Sequence, residues 1–408
     1  MTNMAENRRK CLIMANLICR SRQRKRDNML LKYGAKNFYS FKEGFEITLE
    51  LGAKCPASIS RGASVASTLC VKGANASGKT NALKVLNFLS LFCCHSFNRK
   101  PEEKLAIASF FNNSDPIDIF CHFEIDKIVY HYDVSLTEES VAFERLTRKS
   151  KRSSIIFERE NDQVVNCIKE LEQLKNVKMR ANASIVSTAN QYEVSSISPF
   201  YNFFSSITSN VAMYGKIDIS KSYRSVTKYY KENPEIMSEA IELIKRVDLG
   251  VSGIDINKST EEDGTEYYFP IFRHDVEEVE RNWLTFHSES LGTQTLYKTL
   301  PYIISTLRSG GILVLDEFDT DYHPHILRLL ISLFDNDESN PNHAQILFST
   351  HNTEILEYMS KYRTVFVNKD LSESYAYRLD EIPGDIIRND RPISPVYNSG
   401  KIGGVPRL

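Results

Sequence analysis

The sequence lacks a large net charge, a metal-binding cysteine pattern and a long apolar run, each of which would indicate a particular class of protein. Its 51 Lys and Arg are balanced by 52 Asp and Glu, so no net charge attracts nucleic acid or an anionic membrane. None of the 8 cysteines forms a Cys-x-x-Cys pair or stands with histidines at zinc spacing, which favours reduced thiols over a disulfide frame. No apolar run is long enough to span a bilayer. We therefore expect a cytoplasmic protein with no membrane contact.

The chain has 408 residues and is 42% hydrophobic, which allows a large core in two or three units. Near its start the apolar run CLIMANLIC follows basic residues, as in a signal peptide. However, the run is short, is followed at once by RSRQRKR and lacks a small-x-small cleavage site. We predict a disordered basic extension over residues 1–28 or a start codon upstream of the true one; an arm touching nucleic acid is the alternative.

The remaining chain divides into three parts by its apolar patterns. Residues 29–150 carry alternation around Lys42-Glu43-Gly44, a buried run at Val65–Val71, a helix over Asn81–Phe92 and a hairpin at Ile117–Phe123 and Ile128–Val134. Residues 151–250 have apolar residues at helical spacing, which predicts a helical insertion with Gly250 as C-cap. Its apolar positions are Val164, Ile168, Leu171, Leu174, Ile236, Ala240, Ile241, Ile244 and Val247.

Residues 251–408 again carry strand signals. They are Val251–Ile256, Tyr267–Phe272, Gly311–Leu315 and Ile346–Ser349, with helices from about Thr295 to Leu307 and over Ile326–Phe334. Two further segments, Val365–Val367 and Tyr375–Leu379, are predicted as edge strands. The alternation of buried strands and helices predicts an α/β fold.

A phosphate loop follows the first buried strand. The segment GANASGKT fits G-x-x-x-x-G-K-[ST], and it lies between a strand and a helix, as that motif requires. Backbone N–H groups of such a loop surround the β-phosphate, Lys79 reaches the β- and γ-phosphates, and the Thr80 hydroxyl binds Mg²⁺. The predicted ATP-binding residues are Gly73, Asn75, Ala76, Ser77, Gly78, Lys79, Thr80 and Asn81.

Two later strands end in residues suited to phosphate chemistry. Asp316 and Glu317 follow the apolar run Leu313–Leu315, so Asp316 is a predicted Mg²⁺ ligand with Thr80, and Glu317 the candidate general base. His351 follows the next predicted parallel strand, 34 residues after Glu317. Ligand-facing groups of an α/β sheet lie at such strand ends, and an imidazole there could sense the γ-phosphate.

A second anion site is predicted at the start of another helix. Ser290, Gly292 and Thr293 supply hydroxyls, a glycine and exposed N–H groups. With 210 residues between Thr80 and Ser290, one chain does not easily bring both helix starts to one γ-phosphate. Two subunits facing head to tail could each close the nucleotide site of the other.

Taken in order, these motifs resemble the ABC-type ATPase heads of the SMC, RecF and OLD group. Over residues 29–408 the chain is more narrowly similar to the AbiL/RloA-type ATPases of bacterial anti-phage systems, relatives of the ATPase subunits of PARIS and Septu. The matching segments are NFYSF, GANASGKTN, FHSESLGTQTL, ILVLDEFDTDYHPHIL, NHAQILFSTHN and YNSGKIGGVP.

The resemblance implies a P-loop ATPase head with an antiparallel β lobe, closing on ATP and Mg²⁺ as a homodimer or higher homo-oligomer. It implies that Ser290, Gly292 and Thr293 act on the partner's ATP, that Asp319 crosses the dimer interface, and that His351 is the switch histidine. Two departures stand out: no glutamine fits the Q-loop, and Thr320-Asp321-Tyr322-His323-Pro324 replaces the usual Ser-Leu-His-Pro.

The resemblance also implies a regulatory subunit that senses infection, through nucleic acid or a phage protein, and controls a separate effector. Only 57 residues follow His351, too few for a TOPRIM domain, so we expect a TOPRIM-type or HNH-type nuclease on another polypeptide. One alternative is a DNA-clamping repair ATPase, which predicts a long coiled-coil arm or a basic face. Another is a simple P-loop kinase or GTPase, which needs neither Ser290 nor His351.

Overall fold

The computed structural model describes residues 28–404, apart from residues 219–221, 249, 278, 280, 321, 385 and 390. The predicted extension over residues 1–28 lies outside this range, except that Asn28 already belongs to the first strand. The strands are β1 (Asn28–Lys36), β2 (Phe45–Thr48), β3 (Thr68–Lys72), β4 (Ile117–Ile125), β5 (Ile128–Leu136), β6 (Val141–Lys149), β7 (Ser154–Glu160), β8 (Gln163–Cys167), β9 (Ile207–Ser209), β10 (Val211–Ala212), β11 (Gly215–Lys216), β12 (Val251–Thr260), β13 (Glu266–His274), β14 (Trp283–Thr285), β15 (Ile312–Leu315), β16 (Gln345–Ser349), β17 (Thr364–Asp370) and β18 (Glu373–Arg378). The α-helices are α1 (Ala57–Ser60), α2 (Lys79–His95), α3 (Ile185–Gln191), α4 (Ser198–Ser205), α5 (Tyr223–Glu232), α6 (Pro234–Val247), α7 (Leu291–Ser309), α8 (Pro324–Asp335), α9 (Ile355–Met359) and α10 (Ser394–Asn398).

An antiparallel sheet forms one lobe of the molecule. Its strand order is β2-β1-β4-β5-β6-β7-β8. Strand β4 shows why this sheet could be predicted, since its residues alternate between buried and more exposed positions along the whole strand. The predicted hairpins β1–β2 and β4–β5 are both confirmed as antiparallel pairs.

A mostly parallel sheet forms the core, in the order β18-β17-β3-β16-β15-β9. Strands β3, β15 and β16 are buried along their whole length, because alternate residues enter different apolar clusters. Leu347 packs with α2 and the antiparallel lobe, whereas Ile346 and Phe348 pack with α5–α8. The predicted α/β class, with an antiparallel lobe beside a parallel core sheet, is therefore confirmed.

One of the two predicted edge strands is an interior strand. β17 lies between β3 and β18, parallel to β3 and antiparallel to β18, so only β18 occupies that edge. The run Val365–Val367 is buried, which agrees with its interior place.

The prediction of a helical insertion over residues 151–250 is wrong in its first part. Val164 lies in β8 and pairs with Arg159 of β7, so β7 and β8 extend the antiparallel lobe. Leu171 and Leu174 lie in a 3₁₀ helix, Lys169–Asn176. The apolar residues at helical spacing therefore belong to two different elements, a strand and a 3₁₀ helix. Strand β9 joins the core sheet beside β15. Only later does the segment become helical, in α3–α6, and the domain boundaries stay a prediction.

Helix α6 confirms the second half of the predicted spacing, but not its end. The helix stops at Val247 and Asp248 is extended, and Gly250 does not adopt the left-handed conformation of a C-cap glycine. Instead the Asp248 carboxylate accepts the Gly250 N–H at 3.1 Å. In the described segments no helix is both long and apolar enough to traverse a bilayer. Cys55, Cys70, Cys93, Cys94, Cys121 and Cys167 are free thiols.

Candidate nucleotide site

The phosphate loop connects β3 to α2, as predicted, and two glycines fix its shape. A Cβ on Gly73 would lie 2.1 Å from the Val367 carbonyl oxygen of β17, so a side chain does not fit there. Gly78 has φ +112° and would meet the hydroxyls of Ser374 and Ser40. The tip of the loop, Asn75 and Ala76, is exposed. The loop therefore holds its backbone open to solvent at the start of α2.

Among the described residues, Lys79 of the loop forms no ion pair and the Ser77 hydroxyl no hydrogen bond. The Lys79 ammonium donates to the carbonyls of Gly73 at 2.9 Å and Ala74 at 3.0 Å, and burial lowers its pKa against the opposing effect of Asp316. The buried Ser77 hydroxyl has no hydrogen-bond partner within the described residues. A buried cation and an unpaired hydroxyl at a helix start fit a phosphate group.

A pair of serines outside the motif braces this loop. Ser374, on β18, donates its hydroxyl to the Ser77 carbonyl at 2.6 Å, and its Oγ lies 2.8 Å from the Ser40 hydroxyl oxygen. The Asn81 amide donates to Ser40 at 2.9 Å. Asn81, predicted to bind ATP, thus ties α2 to the antiparallel lobe here. Ser40 lies in the matching segment NFYSF but received no role there, and Ser374 belongs to no motif, so sequence reasoning missed both.

The predicted metal ligands meet although they are 236 residues apart. The Thr80 hydroxyl donates to Asp316 Oδ2 at 2.7 Å. Asp316 is buried, its other oxygen accepts the Ser349 hydroxyl, and its backbone N–H donates to Asn210 at 2.6 Å. A hydroxyl beside a carboxylate is an oxygen-donor pair that suits Mg²⁺. Neither Ser349 nor Asn210 was predicted.

Glu317 follows in a left-handed backbone conformation, with φ +48°. Its N–H donates to the Ser349 hydroxyl at 2.8 Å. Its side chain is 48% exposed and forms an ion pair with Lys216 of β11, 3.2 Å away. The predicted base is thus accessible to water and next to a lysine from the segment that was expected to be a helical insertion.

The predicted switch histidine lies where expected, after β16, which is adjacent and parallel to β15. Burial and the nearby Lys79 lower the pKa of His351, which favours the neutral imidazole. Asp319 accepts the N–H groups of His351 and Asn352, each at 3.0 Å. Asp319, predicted to cross a dimer interface, therefore contacts His351 and Asn352 of its own chain, which we call the switch loop.

A buried lysine holds the same loop from the other side. Lys72, at the end of β3, donates to the carbonyls of His351 at 3.0 Å and Asn352 at 3.1 Å. Burial lowers its pKa, and its ammonium lies 5.1 Å from the centre of the Tyr397 ring. Lys72 precedes Gly73 directly, which is the one sequence signal that could have identified it.

The predicted signature residues cap helix α7. The exposed Ser290 is the N-cap, and its hydroxyl accepts the Thr293 N–H at 3.1 Å. The Thr293 hydroxyl donates to Asp248 at 2.6 Å. Gly292 lies between them, partly exposed. Within the part of the chain that the structure describes, no hydrogen bond joins these residues to the phosphate loop.

Comparison with known proteins gives one family and a set of remote structural similarities. A family model described as "AAA domain, putative AbiEii toxin, Type IV TA system" matches residues 69–357. No curated protein matches the chain. The SMC head domain from Thermotoga maritima has 13% identity and a TM-score of 0.42, covering 86% of this chain and 98% of its own. An SMC head bound to a ScpA domain, derived from Pyrococcus furiosus, has 10% identity and a TM-score of 0.43, covering 87% of this chain and 97% of its own.

Proposed function

The chain belongs to the AAA-domain family whose model spans more than half of it, and from that membership and the site geometry we propose an ATP-hydrolysing regulatory subunit. It closes as a dimer on ATP and controls a separate effector in bacterial anti-phage defence. The single observation that carries the ATPase part is the meeting of Thr80 with Asp316 at 2.7 Å, next to Glu317 and beside the switch loop. These groups lie at the ends of β3, β15 and β16, where an α/β sheet binds its ligands.

The residues of this chain divide the work of phosphoryl transfer. Lys79, the Ser77 hydroxyl and the loop N–H groups bind the phosphates of ATP. Thr80 and Asp316 would hold Mg²⁺, which when bound neutralises charge on the phosphate oxygens. Glu317 accepts the proton of the attacking water, and the neutral His351 imidazole donates or accepts a hydrogen bond near the γ-phosphate. Positioning and charge stabilisation supply most of the catalysis.

The signature residues act in trans in this proposal. Ser290 is exposed at the start of α7 and its hydrogen bonds are local, so its helix terminus is available to a second subunit's γ-phosphate. Moving a dimer from mostly open to mostly closed needs about 5 kcal/mol of preference for the closed form. Two composite sites with charge-assisted bonds of roughly 1.5–3 kcal/mol each could supply it. Asp319, next to the base, would then lie near the subunit boundary.

The regulatory part of the proposal rests on the family. Its description speaks of a toxin in a toxin–antitoxin system, which supports a role beside a second component. We propose that this component is a nuclease, that nucleic acid or a phage protein is the trigger, and that hydrolysis is slow because it resets a switch. A DNA-clamping ATPase is the competing function.

One experiment tests these parts together. The tagged Glu317→Gln chain, expressed from its own genomic neighbourhood, is isolated with ATP and Mg²⁺ and measured by native mass spectrometry. We expect ATP-loaded dimers of the 46.7 kDa chain with a second polypeptide attached, and turnover at least ~100-fold below wild type because the base is lost. Lys79→Ala is the matched variant that should lose ATP and the dimer.

The outcomes separate the parts of the proposal. Normal hydrolysis by Glu317→Gln would show that Glu317 is not the base. Dimers that carry only this chain would contradict the proposal of a stable complex with an effector. DNA that stays bound to such dimers would favour the DNA-clamping ATPase. ATP bound only to monomers would exclude the trans role of Ser290.

A further inference from the structure

A short hairpin from the middle of the chain reaches the hydrolytic residues. It consists of β10 and β11, Val211–Lys216, which pair through Val211 with Lys216 and Ala212 with Gly215. We propose that Lys216 is a positioning residue for Glu317, and that this hairpin is part of the hydrolytic site. The inference rests on the proposed function, in which Glu317 is the base.

The hairpin is attached to the strand that carries Asp316. Strand β9 runs parallel to β15, with Ser209 opposite Val314. The next residue, Asn210, donates its N–H to the Val314 carbonyl at 3.1 Å. Its side-chain amide then both donates to the Asp316 carbonyl at 3.0 Å and accepts the Asp316 N–H at 2.6 Å.

The hairpin also closes on the same asparagine. The N–H of Ile217, directly after Lys216, donates to the Asn210 carbonyl at 2.7 Å. Both ends of the hairpin are therefore fixed to the core sheet through Asn210, whose main chain bonds to Val314 and whose side chain bonds to Asp316. The position of the Lys216 ammonium is set by the core sheet rather than by a free surface loop.

Lys216 binds three acceptors in the turn that holds the base. Its ammonium donates to Glu317 Oε2 at 3.2 Å, to the Glu317 carbonyl at 3.3 Å and to the Thr320 hydroxyl at 3.0 Å. The Thr320 hydroxyl donates in turn to the same Glu317 carbonyl at 2.9 Å. One cation thus ties together the side chain and the backbone of Glu317.

The backbone of Glu317 needs such support. Its φ of +48° lies in the left-handed region, which is unfavourable for a residue with a Cβ and persists only where several contacts fix it. Ser349 fixes the N–H, whereas Lys216 fixes the carbonyl and the carboxylate. Exposed ion pairs add little to stability, so we expect the effect of Lys216 on geometry to exceed its effect on folding.

The ion pair with Lys216 leaves one carboxylate oxygen of Glu317 accessible to water. Glu317 Oε1 has no hydrogen-bond partner among the residues described. Both side chains line a cavity of about 400 Å³ with Asn210, Thr295 and Lys298. Water can therefore reach the free carboxylate oxygen while Oε2 stays bound to Lys216.

The test compares Lys216→Ala and Lys216→Arg with a control, Lys178→Ala, whose lysine is 84% exposed. We expect Lys216→Ala to lower kcat about 10-fold with ATP affinity unchanged, because a misplaced group costs rate rather than ground-state binding. Lys216→Arg should restore most of the rate, and Lys178→Ala should match wild type. Thermal unfolding of each variant checks the fold.

A double variant shows whether the lysine acts through the base. In a Glu317→Gln background, Lys216→Ala should cause no further loss, since two residues that act as one unit are not additive. An additional 10-fold loss would instead mean that Lys216 acts on the phosphate directly. Unchanged or faster turnover in folded Lys216→Ala would overturn the inference. Absence of ATPase in wild type would defeat the proposed function itself, whereas normal turnover of Glu317→Gln would remove only its assignment of the base.

Discussion

At the scale of single residues, Gly73 shows how closely the phosphate loop fits its surroundings. A Cβ at this position would lie 2.1 Å from the Val367 carbonyl oxygen and 2.6 Å from the Ser77 hydroxyl. The carbonyl belongs to the core sheet, and moving it would disturb the pairing of β17. Gly73→Ala must therefore displace the loop instead. We expect at least ~10-fold weaker ATP binding, since the loop's N–H groups would no longer converge on one phosphate.

A matched glycine provides the control for that prediction. Gly52 has no neighbouring atom within 4 Å of a Cβ and no positive φ, so Gly52→Ala should bind ATP like wild type. Titration with a fluorescent ATP analogue measures both variants. Equal ATP affinity of Gly73→Ala and wild type would contradict this prediction. It would show that the loop accommodates a Cβ at this position and that its packing against Val367 does not affect ATP binding.

The residues of the site differ in how far they could be predicted. Lys79, Thr80, Asp316 and Glu317 could be predicted because they lie in sequence motifs with a recognisable pattern, a phosphate loop and an apolar strand that ends in two acids. Asn210 and Ser349 serve the protein instead, holding Asp316 and Glu317 by hydrogen bonds. Any sequence position with a suitable amide or hydroxyl could do this, so only the fold reveals which one does.

At the scale of elements, a buried ion pair connects the antiparallel lobe to the start of α3. Glu144 of β6 and Arg159 of β7 are 3.7 Å apart and both fully buried. Glu144 also accepts the Tyr132 hydroxyl at 3.0 Å and the Ile185 N–H at 2.9 Å. Arg159 donates to the carbonyls of Asn161, Arg180 and Ala183.

Removing one partner should leave the other charge buried without compensation. We expect Arg159→Met to lower the free energy of unfolding by about 3–5 kcal/mol, measured by urea unfolding. Arg148→Met is the control on the neighbouring strand, where the side chain is exposed, and should change it by at most ~0.5 kcal/mol. A loss of equal size in both variants would mean that the buried pair has no special role.

The pH dependence of this loss has a definite sign. Burial raises the pKa of Glu144 while Arg159 lowers it, so the variant raises that pKa further. When the pKa of a carboxyl is higher in the folded state than in the unfolded state, the free energy of unfolding of the protein falls as pH rises. The destabilisation by Arg159→Met should therefore be larger at pH 8 than at pH 5.

Strand patterns explain which elements could be predicted. Strand β4 alternates cleanly and β15 is uniformly apolar, so each has a signature of its environment. Strand β9 has three residues and β11 has two, too few for any period to show. Their places follow from pairing with β15 and β10, which are contacts across the chain that a local pattern does not contain.

At the scale of the whole molecule, the proposed composite site requires two copies. The Thr80–Asp316 contact is complete within one chain, whereas among the described residues Ser290 and Thr293 bond near their own helix start and to Asp248. Closing the dimer would need only the nucleotide to bridge one subunit's loop to the other's helix.

Mixing two inactive chains tests this arrangement directly. Lys79→Ala disables the phosphate loop, and Ser290→Arg blocks the helix start with a large side chain. In trans, a mixed dimer has one site built from two intact parts. With random pairing half of the dimers are mixed, so an equal mixture should recover up to about a quarter of wild-type turnover. Each variant alone should have almost none.

The size of the recovery identifies the geometry. If Ser290 acted on the ATP of its own chain, every site in the mixture would contain a defect, and turnover would equal the small sum of the two variants. Recovery also shows that Ser290→Arg folds, because its intact Lys79 loop would be the active one. A mixture of Lys79→Ala with Glu317→Gln is the control: both changes lie on the same half-site, so every site keeps one defect and no recovery is expected in either geometry.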